Sequence, residues 1–162
     1  VVHIHSGFGN NSFVDELANA AKIDPVQFHL SLIGKDRVIQ GKSNHSYDSK
    51  RMKEVLQNTA KISDWGKVLP KNHGMGIAIH YSFYSYVATA VEVVVNDGKV
   101  KVENIWTTID CGLALNKDNI KNQLEGAAIF GMSIALYGKI TAKEGAIEQN
   151  NFFDSIHQSF IN

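Results

Sequence analysis

The sequence predicts an α+β fold, with helices first and then a mainly antiparallel sheet packed by one long helix. Three observations carry this. Apolar residues recur at helical spacing in three stretches within the first 66 residues, a β-rich pattern with a tight-turn signal begins at residue 74, and helical spacing returns from 117 to 137. No repeat, low-complexity tract or linker rich in Pro, Gly or Ser divides the 162 residues. They are therefore expected to belong to one domain, with residues 1–66 as its helical part and 67–162 as sheet plus long helix.

The elements follow in order. After a Gly/Asn-rich opening, NNSFVDELANAAK begins a helix: Ser12 is the candidate N-cap, Asp15 lies three residues on, and Val14, Leu17, Ala18 and Ala21 share a face. IDPVQFHLSLIG predicts a second, short helix with Asp24 as cap, Pro25 at its first position and Gly34 as its stop. Residues 35–47 are polar and aperiodic, so a surface loop is expected. A third helix in DSKRMKEVLQNTAKISDWG places Met52, Val55, Leu56 and Ala60 on one side. The runs GMGIAIHYSF and YVATAVEVVVNDGKVKVENIWTTID then read as strands, and NDGK predicts a hairpin because Asp-Gly accepts the positive φ of a tight turn. The long helix runs from about Lys117 to Tyr137 and stops at Gly138. KITAKEG and AIEQNNF form a last short hairpin.

A chain of this length can bury roughly 70% of its unfolded surface. Its 16 basic and 16 acidic residues cancel, which argues against a nucleic-acid or membrane-surface binder, since those carry a basic excess. No apolar run approaches the ~18 residues of a membrane span. The single cysteine, Cys111, excludes an internal disulfide. The chain opens with VVHIHSG, without an initiator Met, and stops at SFIN. The expectation is a piece of a longer protein, exposing apolar surface and self-associating, with a sheet edge as one route.

Most candidate chemistry is weak on spacing alone. His3 and His5 would share a strand face and His80 lies in an apolar strand, but no third ligand accompanies them and no metal site is expected. SGFGNN before a helix lacks the third glycine of a dinucleotide fingerprint and the lysine of a nucleotide loop. Cys111 has no histidine at a diagnostic local spacing, and Asp110 beside it reads as a strand-ending turn residue. The long helix is more informative. Gln123 shares a stripe with Ile120, Ala127, Phe130 and Ile134, while Gly126, Ala127, Ala128 and Gly131 thin that wall enough for a backbone or a flat ligand to come close. An amide there is either bonded to a strand edge or kept for a ligand.

DCG…N…QLEG…G…AL, following GMGIAIHYSFYSYVATAVEVVV, resembles the molybdopterin-binding subunits of the xanthine dehydrogenase and aldehyde oxidase family. The branch it is most similar to is that of the isoquinoline 1-oxidoreductase large subunit and related membrane-associated aldehyde dehydrogenases. SFVDELANAAKIDPVQFHLSLIG and EQNNFFD match the same branch, so the resemblance runs over about residues 2–154. Each motif is loose, but the four together in order are specific.

The resemblance implies a molybdenum-dependent oxidoreductase that hydroxylates an aldehyde or an N-heteroaromatic carbon with oxygen from water. It implies molybdopterin cytosine dinucleotide or a related cofactor in the parent protein, and an iron–sulfur partner subunit or domain that carries the electrons away. Gln123 matches the family glutamine that hydrogen-bonds the molybdopterin, Gly126 matches its glycine of close approach, and Phe8 aligns with an aromatic region near the substrate funnel. The departures matter too. No Gly-x-Gly turn followed by the catalytic glutamate is present, the upstream glycine-rich pterin loops and a Trp-Arg-Ser are missing, and His29 stands in place of an arginine. The chain by itself is thus expected to be inactive and to hold no cofactor. The alternative is a self-contained, non-catalytic binding or assembly module.

Overall fold

The computed structural model describes residues 2–41 and 46–149, and it has the α+β character that the sequence predicts. The order is α1 (Val2–Ala21), α2 (Pro25–Ile33), β1 (Val38–Gln40), β2 (Ser46–Asp48), α3 (Ser49–Ile62), β3 (His73–Ser82), β4 (Ser85–Asn96), β5 (Lys99–Asp110), α4 (Lys117–Tyr137), β6 (Ala142–Lys143) and β7 (Ala146–Ile147). It divides into two compact units, Val1–Leu113 and Ala114–Asn162.

In the first unit, β3, β4 and β5 form an antiparallel meander in that order. The expected Asp97-Gly98 turn closes β4 onto β5, with both residues at positive φ (50° and 74°). The β3–β4 hairpin turns through Phe83 and Tyr84, also at positive φ. The bulky pair hides this tight turn from composition rules that look for Asn or Gly. A bulge after Glu92 shifts the β4–β5 register.

α3 covers this sheet. Its Met52, Val55 and Leu56 are buried as their spacing predicts, and they join Val26 and Ile33 of α2 with Ile77, Tyr86, Ala88 and Ala90 of the sheet. The two alanines are fully buried; their small side chains let the helix approach until Thr59 Oγ1 donates to the Ala88 carbonyl at 3.1 Å. α2 begins as expected, with Asp24 accepting the Gln27 N–H at 3.1 Å, Pro25 in its first turn and Gly34 at its end.

Two expectations are corrected. Residues 35–47 are not wholly loop, because β1 pairs antiparallel with β2 (Val38↔Asp48, Gln40↔Ser46). A strand of three exposed residues shows no alternation, and what holds it is tertiary: the buried Ser49 hydroxyl accepts from Arg37 N–H at 2.8 Å and donates to the Lys35 carbonyl at 3.3 Å. Ser12 does not cap α1, which begins ten residues earlier and takes in the Gly/Asn-rich opening, including His3 and His5. Contacts with β3 override the poor helix propensity of that opening: His3 Nδ1 lies 3.2 Å from His80 Nε2, and Asn11 binds both backbone groups of Ile79.

In the second unit, α4 has the bounds read from the sequence, and β6 and β7 form the short terminal hairpin. Residues 150–154 of the EQNNFFD match lie outside the described residues.

Candidate functional site

α4 is well specified at both ends. Asn116 caps it by accepting the Asn119 N–H at 2.9 Å, and Asp118 in the first turn complements the helix dipole. At the other end the Gly138 N–H bonds the Ile134 carbonyl at 2.9 Å. A Cβ at position 138 would meet that carbonyl oxygen at 2.5 Å, so only glycine closes the helix this way.

Between these ends no residue of α4 is buried. The apolar stripe is thus open, with Phe130 51% and Ile134 44% exposed. Gln123 is exposed as well. Gly126 lies three residues on, one turn away on the same side, and a Cβ built there meets no atom within 4 Å. The neighbouring Glu125 pairs with Lys121 at 3.7 Å on the helix surface. An accessible carboxamide beside a wall without a side chain suits a flat, polar-edged ligand: the amide can donate and accept, and the glycine leaves room for the ring plane.

Phe8 projects from α1 with 76% of its surface exposed. His29 is buried on α2; burial pulls its imidazole below the ordinary histidine range, and Asp15 nearby opposes that shift.

Two polar clusters in the first unit gave no signal at their full extent. Arg51 of α3 grips Asp110 with a two-point fork, Nε to Oδ2 and Nη2 to Oδ1, both at 2.6 Å. Its guanidinium lies over the Tyr86 ring at 4.4 Å, and the Tyr86 hydroxyl accepts the Asp48 N–H. Asp110 Oδ1 also accepts the Gly112 N–H at 3.0 Å. Asp110 is therefore a turn residue as its position predicts, and the Arg51 hydrogen bonds hold its carboxyl below the usual carboxylate range. Cys111 sits half-buried at this corner.

The second cluster centres on Glu92, buried in β4. It accepts from Lys67 Nζ at 2.9 Å, faces His73 Nδ1 at 3.2 Å and takes a long bond of 3.4 Å from Asn104. Lys67 in turn lies over the Trp106 ring. The Lys67 bond is the main reason this carboxyl is held below its ordinary value despite burial. A lone carboxylate in ATAVEVVVN, in step with Ala88 and Ala90, was the available sign of it. Among the described residues no group of three or more His, Cys, Asp or Glu could hold a metal ion, and no helix is long and apolar enough to cross a membrane.

A family model for the molybdopterin cofactor-binding domain matches residues 14–156. The chain belongs to that family. The match takes in all of α4 with Gln123 and Gly126, and leaves Phe8 outside it.

This molybdopterin-binding chain is 30% identical over 152 residues to the beta subunit of isoquinoline 1-oxidoreductase from Brevundimonas diminuta, covering 91% of the chain and 18% of that protein. It is 29% identical over 140 residues to a membrane-bound aldehyde dehydrogenase (pyrroloquinoline-quinone) of Gluconacetobacter polyoxogenes, covering 82% and 18%. With a nicotinate dehydrogenase subunit of Pseudomonas putida it shares 25% over 162 residues, covering 88% and 12%. The chain thus spans less than a fifth of the length of these relatives. No solved structure matches it significantly.

Proposed function

We propose that this chain forms part of a molybdenum-dependent oxidoreductase that hydroxylates aldehydes or N-heteroaromatic compounds, and that α4 is one wall of its cofactor site. The observation that carries the reading is the family match across α4, where Gln123 exposes its amide one turn from the open wall at Gly126. The relatives' names, an isoquinoline oxidoreductase, an aldehyde dehydrogenase and a nicotinate dehydrogenase, support the substrate class.

In this reading the Gln123 carboxamide donates to and accepts from the polar edge of the pterin, while Gly126 lets the ring system approach the helix. The cofactor, molybdopterin cytosine dinucleotide or a close relative, supplies two-electron oxidation with water as the oxygen source. Phe8 lines the path of the substrate. An iron–sulfur subunit or domain receives the electrons. The base that takes the proton comes from outside this sequence, which contains no Gly-x-Gly-Glu turn; a site works only with all its contacting groups in place, so the chain alone is inactive.

Three measurements test this. Elemental analysis of the purified chain should find no stoichiometric molybdenum, and a dye-linked assay should find no aldehyde oxidation; either activity or bound metal refutes the partial-site reading. In the longer protein, Gln123→Ala should lower the content of extractable pterin, and full retention removes Gln123 from the site.

A further inference from the structure

We propose that the facing imidazoles of His3 and His80 form an acid-released latch, which holds the first turns of α1 against β3 while either ring is neutral and lets them go when both are protonated. His3 Nδ1 lies 3.2 Å from His80 Nε2, with the ring centroids 5.4 Å apart and the ring planes at 80°. With both rings neutral, the N–H of one donates to the lone pair of the other. With one proton added, the imidazolium donates to its neutral partner and the contact survives. With a second, two N–H groups and two positive charges face each other across the same gap, and neither ring can accept.

The surroundings do not compensate that charge. From β4, Val87 stands in register with His80, with Ser85 and Thr89 beside it on the same face. The hairpin turn offers the Phe83 ring, 5.5 Å from that of His3, and α1 offers Gly7, where an added Cβ would lie 3.5 Å from His80 Nδ1. None of these carries a charge, so His3 is the charged neighbour that bears on His80. Burial, and then the charge of His3, hold the His80 imidazole below the ordinary histidine range. The released state keeps the ordinary value of about 6.5 and binds the proton more readily. The latch is therefore complete above that value and weakens as the pH falls through it.

Little else secures this end of α1. Among its described residues none before Ala18 is buried, and Gly7, Gly9, Asn10 and Asn11 are poor helix formers. The next tie is one that acid leaves intact. The Asn11 carboxamide accepts the Ile79 N–H and donates to the Ile79 carbonyl, each at 2.9 Å, and it has no proton to gain in this range. Release stops there. Phe8 lies within the freed stretch, so on the reading that places Phe8 by the substrate path the latch makes that path pH-dependent; exchange in the cofactor-free chain tests the latch apart from that reading.

Hydrogen exchange of the whole chain, corrected for the intrinsic pH dependence of amide exchange, is the readout. Gly7, Phe8 and Gly9 donate to the carbonyls of His3, Ile4 and His5 in a regular helix. Between about pH 8 and about pH 5 their protection should fall about fivefold more than that of Leu17 and Ala18. His80→Gln keeps a group that accepts from His3 whether His3 is charged or not, so it should abolish this difference. His3→Gln should do the same, and it serves if His80→Gln fails to fold. His5→Gln, two residues along the helix and outside the pair, should leave the difference as it is. Protection that does not change with pH, a loss that runs equally through Leu17 and Ala18, one that persists in His80→Gln and His3→Gln, or one that His5→Gln removes overturns the proposal.

Discussion

Arg51 and Asp110, 59 residues apart, are joined by two hydrogen bonds of 2.6 Å each, one from Nε and one from Nη2. The fork ties the start of α3 to the end of β5, and Asp110 passes the constraint on to the Gly112 N–H. Charge-assisted, bidentate pairs are the strong members of their class. Both side chains are about one-third exposed, so solvent screens part of this strength.

Asp110→Asn should therefore lower stability by about 1–2 kcal/mol near neutral pH. The pH dependence has a definite sign. The folded-state pKa of Asp110 is depressed, so its contribution is complete above the unfolded-state value near 4 and is lost as the pH falls through the folded value. Thermal melts of both proteins should differ by a constant amount from pH 5 to 7 and draw together only in acid, as the pH falls below the unfolded-state value and through the depressed folded one. A difference that persists in strong acid would show that the variant acts through packing.

Glu92→Gln should lower the melting temperature more than Glu125→Gln does. Glu92 is buried and answers Lys67, His73 and Asn104, whereas Glu125 makes a single long pair with Lys121 on the surface of α4. Removing the buried anion leaves Lys67, His73 and Asn104 facing a neutral amide. Equal melting temperatures for the two variants would rule out the cluster as a stabilising element.

Leu56→Ala should cost about 2–5 kcal/mol in denaturant unfolding, because Leu56 is fully buried between α3 and the sheet. Ile134→Ala and Gln123→Ala, both at exposed positions of α4, should stay within about 0.5 kcal/mol of the unaltered chain. A large loss at Ile134 would mean that the α4 stripe is a core face of this chain.

Hydrogen exchange should place the first turn of α1 among the least protected helical segments and the centre of β4 among the most protected. β4 is paired on both sides and carries the buried Tyr86, Ala88 and Ala90, while the amides of a first helical turn have no partner within the helix. Protection at His3 to Ser6 equal to that at Ala88 would contradict this.

Elements with local signals are legible in the residues alone. The Asp24-Pro25 start and the Gly34 stop bound α2, Asp97-Gly98 turns β4 into β5, and the run from Lys117 to Gly138 bounds α4, because caps and positive-φ turns are chosen by residues adjacent in the chain. The face of α3 was legible for a similar reason, since Met52, Val55 and Leu56 repeat with the helix. Features that depend on distant partners emerge only on folding. Packing extends α1 back to Val2 through the contacts of His3 and Asn11 with β3, and it forms β1 through the buried Ser49 hydroxyl. It also brings Arg51 to Asp110 and Lys67 to Glu92. No spacing rule encodes these contacts, because each joins residues that meet only after the sheet has formed and α1 and α3 have packed against it.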